Sequence, residues 1–143
     1  MGTAMALFYS DVFVLPLPAH HRFPMDKYAR LRERLLASDA FAPDEFRVPD
    51  AASDAEILRV HCPRYLGRVA RGELDAAEQR AIGFPWSERM VARSRQSSGA
   101  TLAAAREALT RGWSANLAGG THHAFRDRGE GFCVFNDAAI TAR

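Results

Sequence analysis

The stretch from Ser87 to Leu117 constrains the fold most. Ser87 is a good helix cap, the helix it opens runs to about Arg111, and Gly112 supplies a terminator. Trp113, Ala115 and Leu117 then alternate with Ser114 and Asn116 at the period of a strand. A long helix feeding a short strand is one step of a layered α/β arrangement, and the rest of the chain repeats it. Ala6-Leu7-Phe8-Tyr9 reads as a buried strand, followed by a loop broken by Pro16, Pro18 and Pro24. From Pro24, Tyr28, Leu31, Leu35 and Leu36 recur at helical spacing to about Ala37. Phe46-Arg47-Val48 reads as a short strand, and Ser53-Asp54-Ala55-Glu56 has capping-box spacing before Ile57, Leu58 and Val60. Pro63 opens a further helix through Tyr65, Leu66 and Val69, stopped by Gly72, and Gly83-Phe84-Pro85-Trp86 reads as an irregular aromatic loop. Within the long helix, the small residues Ser97-Ser98-Gly99-Ala100 allow another element to approach closely. This alternation predicts an α/β fold with a mainly parallel sheet in a single domain over residues 1–143.

Composition narrows the function classes. At 143 residues with 48% apolar content, the chain can bury roughly 68–70% of the surface it exposes when unfolded. The net charge is +2 and Lys27 is the only lysine. The arginines are dispersed among acids, which argues against nucleic-acid binding. Cys62 and Cys133 are far apart and in no CxxC spacing, so neither a disulfide framework nor a structural zinc knuckle is expected, and a reducing cytoplasm is the expected compartment. Met1 to Leu17 lacks a basic leader and is interrupted by Ser10, Asp11, Pro16 and Pro18, and no window approaches the roughly 18 apolar residues of a membrane span.

Beyond the last strand lie Gly119-Gly120-Thr121-His122-His123-Ala124-Phe125 and then Gly131-Phe132-Cys133-Val134-Phe135-Asn136-Asp137. In parallel sheets, ligands sit beyond the carboxyl ends of the strands, where this loop falls. Adjacent imidazoles can divide two tasks, one accepting a proton while the other donates a hydrogen bond. Gly119 and Gly120 let the backbone pass close to a ligand. A turn bearing two solvated histidines is the plain alternative. No GxGxxG or GxxxxGK[ST] is present, which sets phosphate binding aside. Cys133 paired with His122 or His123 is a thiol-catalysis alternative, opposed by the flanking Phe132, Val134 and Phe135, which imply a buried thiol with a raised pKa. His61 and Cys62, at a helix end before Pro63, read as packing or capping residues. His20 and His21 lie in a loop that either lines a site edge or is simply hydrogen-bonded.

These residues resemble the histone deacetylase superfamily, including bacterial deacetylase-like proteins near its class IV branch and acetylpolyamine amidohydrolases. Supporting segments are His21-Arg22-Phe23-Pro24-Met25-x-Lys27-Tyr28, Val60-His61-x-x-x-Tyr65-Leu66 and Gly83-Phe84-Pro85-Trp86-Ser87. The resemblance implies a three-layer α/β/α sandwich of the arginase and deacetylase type, and zinc-dependent hydrolysis of an acyl-amide bond in acetyl-lysine or a small acetylated amine. It makes His123 the general base and later acid, and His122 its neighbour that orients water. Gly131 and Phe132 become walls of the channel for the acyl-lysine stem. Cys133 becomes a small packing group, with Gly119, Gly120, Asn136 and Asp137 supporting the loop.

The family's zinc ligands, an Asp-x-His pair and a further Asp, have no counterpart before Arg143, and His20, His21, His61, Cys62 and Cys133 offer no substitute set. The expectation is therefore the N-terminal part of one catalytic domain, supplying the histidine loop but no metal ligands. A non-catalytic remnant that associates through an exposed sheet edge is the alternative.

Overall fold

The computed structural model describes residues 4–119 and 121–143. Strand β1 (Ala6–Phe8) is fully buried and lies centrally, with β2 (Phe46–Arg47) on one side and β3 (Ser114–Asn116) on the other, all parallel. Leu7 stands opposite Phe46 and Ala115, and Phe8 opposite Arg47 and Asn116. The ladder continues just past the strands, where Tyr9 N–H donates to the Arg47 carbonyl and Leu117 N–H to the Phe8 carbonyl, both at 3.0 Å. Chain leaving β3 therefore emerges at the carboxyl edge of the sheet.

Helix α1 (Lys27–Ala37) begins three residues later than its apolar spacing predicts, because Pro24 to Asp26 form a turn in which the Pro24 carbonyl accepts from Lys27 N–H. The Ser53 capping box forms, but the helix it opens, α2 (Asp54–Ile57), lasts one turn. Helix α3 (Pro63–Arg71) ends on Gly72 in the left-handed conformation. Helix α4 (Ala76–Ile82) was not anticipated: Asp75 and Glu78 make a reciprocal capping box, and left-handed Gly83 ends it. Helix α5 (Glu88–Arg111) has the Ser87 cap and Gly112 terminator that the sequence predicts. Helix α6 (Asp137–Ala142) is capped by Asn136, whose side chain accepts from Ala139 N–H.

Helix α5 packs against β1, β3 and α6. Its close approach depends on Gly99, where an added Cβ would lie 1.9 Å from the Asp50 carbonyl oxygen. The core joins Phe8, Phe13, Ile57, Tyr65, Val69, Phe84, Met90 and Phe135. Trp113 and Leu117 lie outside β3, Trp113 is 53% exposed, and Ser114, Ala115 and Asn116 are all half-buried, so the expected alternation is not expressed in burial. Among the described residues, no helix is long and apolar enough to cross a membrane.

Candidate active site

The site is assembled from three segments at the carboxyl edge of the sheet. The first is the histidine loop. At its root the Asn116 amide donates to Thr101 Oγ1 at 2.8 Å and to the Ser97 carbonyl at 3.0 Å, while its Oδ1 accepts from Ala118 N–H at 2.9 Å. Thr101 passes its proton on to Asp137 Oδ2 at 2.6 Å, so one polar chain links β3, α5 and the first turn of α6. Gly119 faces this chain: a Cβ there would lie 2.1 Å from Asn116 Nδ2 and 2.7 Å from Thr101 Oγ1. Its small size thus serves internal packing. Gly120 lies outside the described residues.

At the tip, His122 and His123 are exposed, with ring centroids 4.6 Å apart and planes inclined by 36°. The loop is held from its backbone, by Asn136 Nδ2 donating to the His122 and Ala124 carbonyls at 3.2 Å each. Asn136 thereby caps α6 through Oδ1 and steadies the histidine loop through Nδ2.

The second segment is a tight turn over Glu130-Gly131-Phe132-Cys133. Glu130 and Cys133 exchange both backbone hydrogen bonds, at 3.0 and 2.9 Å. Both central residues have positive φ, 56° at Gly131 and 62° at Phe132, the pattern of a two-residue hairpin turn of mirror-image type. A phenylalanine in that region is strained and needs external support. Gly131 N–H donates to the Ala81 carbonyl and Phe132 N–H to that of Ile82, at 2.9 and 2.7 Å, which fastens the turn to the end of α4. Gly83 makes room for the ring, since a Cβ there would lie 2.7 Å from Phe132 Cε1. On the other side, a Cβ at Gly131 would sit 3.2 Å from His123 Cγ. The turn therefore joins the histidine pair to the Phe132 ring.

The third segment carries His21. Its Nε2 donates to the Gly83 carbonyl at 2.7 Å and its Nδ1 accepts from Phe23 N–H at 3.1 Å. Its ring joins an aromatic cluster in which Phe23 and Phe84 lie 4.9 and 5.2 Å from Phe132. His21 is thus at the edge of the site, whereas His20 is exposed and outside the cluster.

Beneath the loop, Cys133 is 1% exposed, and its thiol donates to the Phe135 carbonyl at 3.1 Å. Burial pushes its pKa up, partly offset by Thr121 and nearby backbone donors, so the thiol is a poor nucleophile. His61 is equally buried, between Tyr65 and Phe135, with Nε2 accepting from Asn136 N–H at 3.0 Å. Accepting at Nε2 puts the proton on Nδ1, which is buried beside the Phe125 and Arg126 carbonyls without a well-formed hydrogen bond. Burial lowers its pKa. Tyr65 donates to the Val134 carbonyl at 2.7 Å and fixes the same floor.

Sequence reasoning missed Thr101 and Asn116. Their only signal was a polar side chain at a strand end and another on an otherwise small-residue helix face. It also missed the support that Ala81, Ile82 and Gly83 give Phe132, because helix α4 had not been recognised. Among the described residues, no group of three or more His, Cys, Asp or Glu side chains is placed to hold a metal ion.

The histone deacetylase domain model matches residues 21–143. An uncharacterised protein of Picosynechococcus sp. is 41% identical over 94% of this chain and 45% of its own length. Histone deacetylase 2 of Arabidopsis thaliana is 32% identical over 91% of this chain and 35% of its own. Acetoin utilization protein AcuC of Bacillus subtilis is 31% identical over 84% of this chain and 34% of its own. The chain thus spans less than half the length of these relatives. The crystal structure of an HDAC homolog from Aquifex aeolicus superimposes with a TM-score of 0.75 at 24% identity, covering 98% of this chain and 40% of that one. The HDA15 HD domain gives 0.74 at 19%, over 99% and 42%. The fold is accordingly the α/β type of arginases and deacetylases, present as its N-terminal part, and the chain belongs to the histone deacetylase family.

Proposed function

We propose that residues 1–143 form the N-terminal part of one deacetylase-type catalytic domain, supplying the proton-handling loop and one channel wall of a site that hydrolyses an acyl-amide bond in acetyl-lysine or a related acetylated amine. The observation that carries this reading is the stacked His122–His123 pair set against Gly131, one residue from the strained Phe132 ring. His123 takes a proton from the attacking water as its oxygen bonds to the acyl carbon, then returns it to the amide nitrogen as the C–N bond breaks, releasing an acid and an amine that part as carboxylate and ammonium once the acid's proton moves to the amine. His122, 4.6 Å away, orients the water and balances the developing charge. Gly131 leaves room for the substrate backbone, and Phe132 packs against the lysine methylenes.

Zinc is the metal that the family resemblance implies. The residues described do not fit a metal centre by themselves, so no step here passes through one, and the chain's own part is proton transfer and substrate guidance. Thiol catalysis is disfavoured by the buried, hydrogen-bonded Cys133. The two unpaired cysteines, Cys62 and Cys133, support a reading of a reducing, cytoplasmic compartment.

The test is hydrolysis of an acetyl-lysine reporter by the complete catalytic domain that contains residues 1–143, unaltered and with His123→Ala, His122→Ala or Cys133→Ser. Activity lost with either histidine and kept by Cys133→Ser supports the reading. Activity that survives His123→Ala overturns it.

A further inference from the structure

The faces of the channel-wall aromatics are already occupied by cations. The Arg22 guanidinium lies 5.1 Å from the centroid of Phe132, and the Lys27 ammonium 4.5 Å from that of Phe23. Next to them runs an open groove of about 530 Å³ between α4 and the loop that follows it, lined by His21, Gln79, Arg80, Gly83, Phe84 and Pro85. It connects to the candidate site through Phe132, which touches Gly83 and lies 5.2 Å from Phe84.

Carboxylates on these same segments are largely engaged. Asp26 pairs with Arg30 and Glu78 with Arg68, while Asp75 caps α4. Among the described residues, Arg22, Lys27 and Arg80 make no ion pair. Among the described residues, the acids there without one are Glu130, beside Gly131, and Asp75, whose carboxylate accepts only the Glu78 backbone N–H. Three unpaired cations against these two acids leave the rim positive.

We propose that this rim selects acyl-lysine in an acidic peptide, whose Asp or Glu side chains lie in the Arg80 groove and against Arg22. The proposal rests on the function above and narrows its substrate class. A cationic acylated polyamine or a lysine-rich tail meets like charge here, and one face each of Phe132 and Phe23 is already held by the protein's own Arg22 and Lys27.

The test is fluorescence anisotropy with labelled peptides of equal length, carrying acetyl-lysine between acidic or between basic neighbours, plus the same pair with glutamine replacing acetyl-lysine. The acidic member of each pair is expected to bind about tenfold tighter at low salt, the gap shrinking as salt rises. Arg22→Gln and Arg80→Gln each narrow it about two- to fivefold, as removal of one exposed partner does. Both side chains are exposed, so the variants keep the fold. Equal or tighter binding of the basic peptides, an unaltered gap in the double variant, or displacement of the acidic peptide by an RNA oligonucleotide at lower concentration each overturns the proposal. The glutamine pair separates the two readings: a preference kept there, with no hydrolysis of the acetyl pair by the complete catalytic domain, leaves the rim standing and removes the proposed activity.

Discussion

His61 and the His122–His123 pair are tied to the same residue, Asn136, and in opposite senses. His61 is sealed between Tyr65 and Phe135, and its ring takes the Asn136 backbone N–H. Among the described residues the exposed pair makes no ring hydrogen bond; instead the Asn136 side chain grips the backbone beneath it, at the His122 and Ala124 carbonyls. One imidazole is spent on structure so that two others remain free for a substrate. The contrast locates stability in the floor and chemistry in the loop above it, and that separation can be attacked from both sides.

The largest effect is expected from His61→Ala. It empties a fully buried ring position and leaves the Asn136 N–H without its acceptor, costing about 3 kcal/mol. A drop of several degrees in Tm by differential scanning calorimetry checks it. A cost within about 0.5 kcal/mol, typical of a surface site, would place His61 outside the floor.

Gly83→Ala comes next, at about 2 kcal/mol. Its φ is 86°, and the added methyl meets the Phe132 ring, so conformational strain adds to a clash. Near-ultraviolet circular dichroism should report the disturbed aromatic cluster, while His61 and its surroundings stay as they are. Asn136→Ala is expected to cost about 1–2 kcal/mol through loss of a helix cap and two loop hydrogen bonds. Hydrogen exchange at Ala124 and Phe125 should quicken more than at Val134, because the loop loses its grip while Tyr65 still holds the floor.

Acid probes the same boundary. Burial holds the His61 pKa below its ordinary value, so at low pH the unfolded chain binds a proton that the folded one refuses. The stability tied to neutral His61 is complete above about pH 6.5 and falls as pH drops below it, by at most about 1.4 kcal/mol per pH unit. Melting curves of the parent and of His61→Gln should converge toward acid. Parallel curves would mean that His61 is not the titrating group.

The floor and the loop were unequally legible in the sequence. Caps at Ser53 and Ser87 and terminators at Gly72 and Gly112 are local signals, and they placed α2, α3 and α5. Asp75 and Glu78 carried the same capping signal for α4, but its seven residues offer little apolar periodicity, so the sequence reading left them unassigned. The His122-His123 pair stood out because glycines and a second aromatic segment surround it. Its support did not: Thr101 to Asp137 spans 36 positions, and Gly83 to Phe132 spans 49. Such contacts exist only once α5 and α4 have packed, and no spacing along the chain encodes them. Gly119 shows the same limit, since its reason for being glycine is the Asn116 amide it covers.

The smallest change in stability is expected at the most conspicuous residues. His122→Ala and His123→Ala remove exposed rings whose contact is with each other and, for His123, with Gly131, so each should shift unfolding by no more than about 0.5 kcal/mol. If the rings handle the proton as proposed, the same substitutions should lower turnover by about 10²–10⁴-fold for His123, with less loss for His122. The two measurements must be made on the same preparations, because the argument lies in their ratio. A large fall in Tm accompanying the fall in rate would mean that the pair props the loop as His61 props the floor. Intact folding with a collapsed rate would separate the two kinds of histidine as the geometry does.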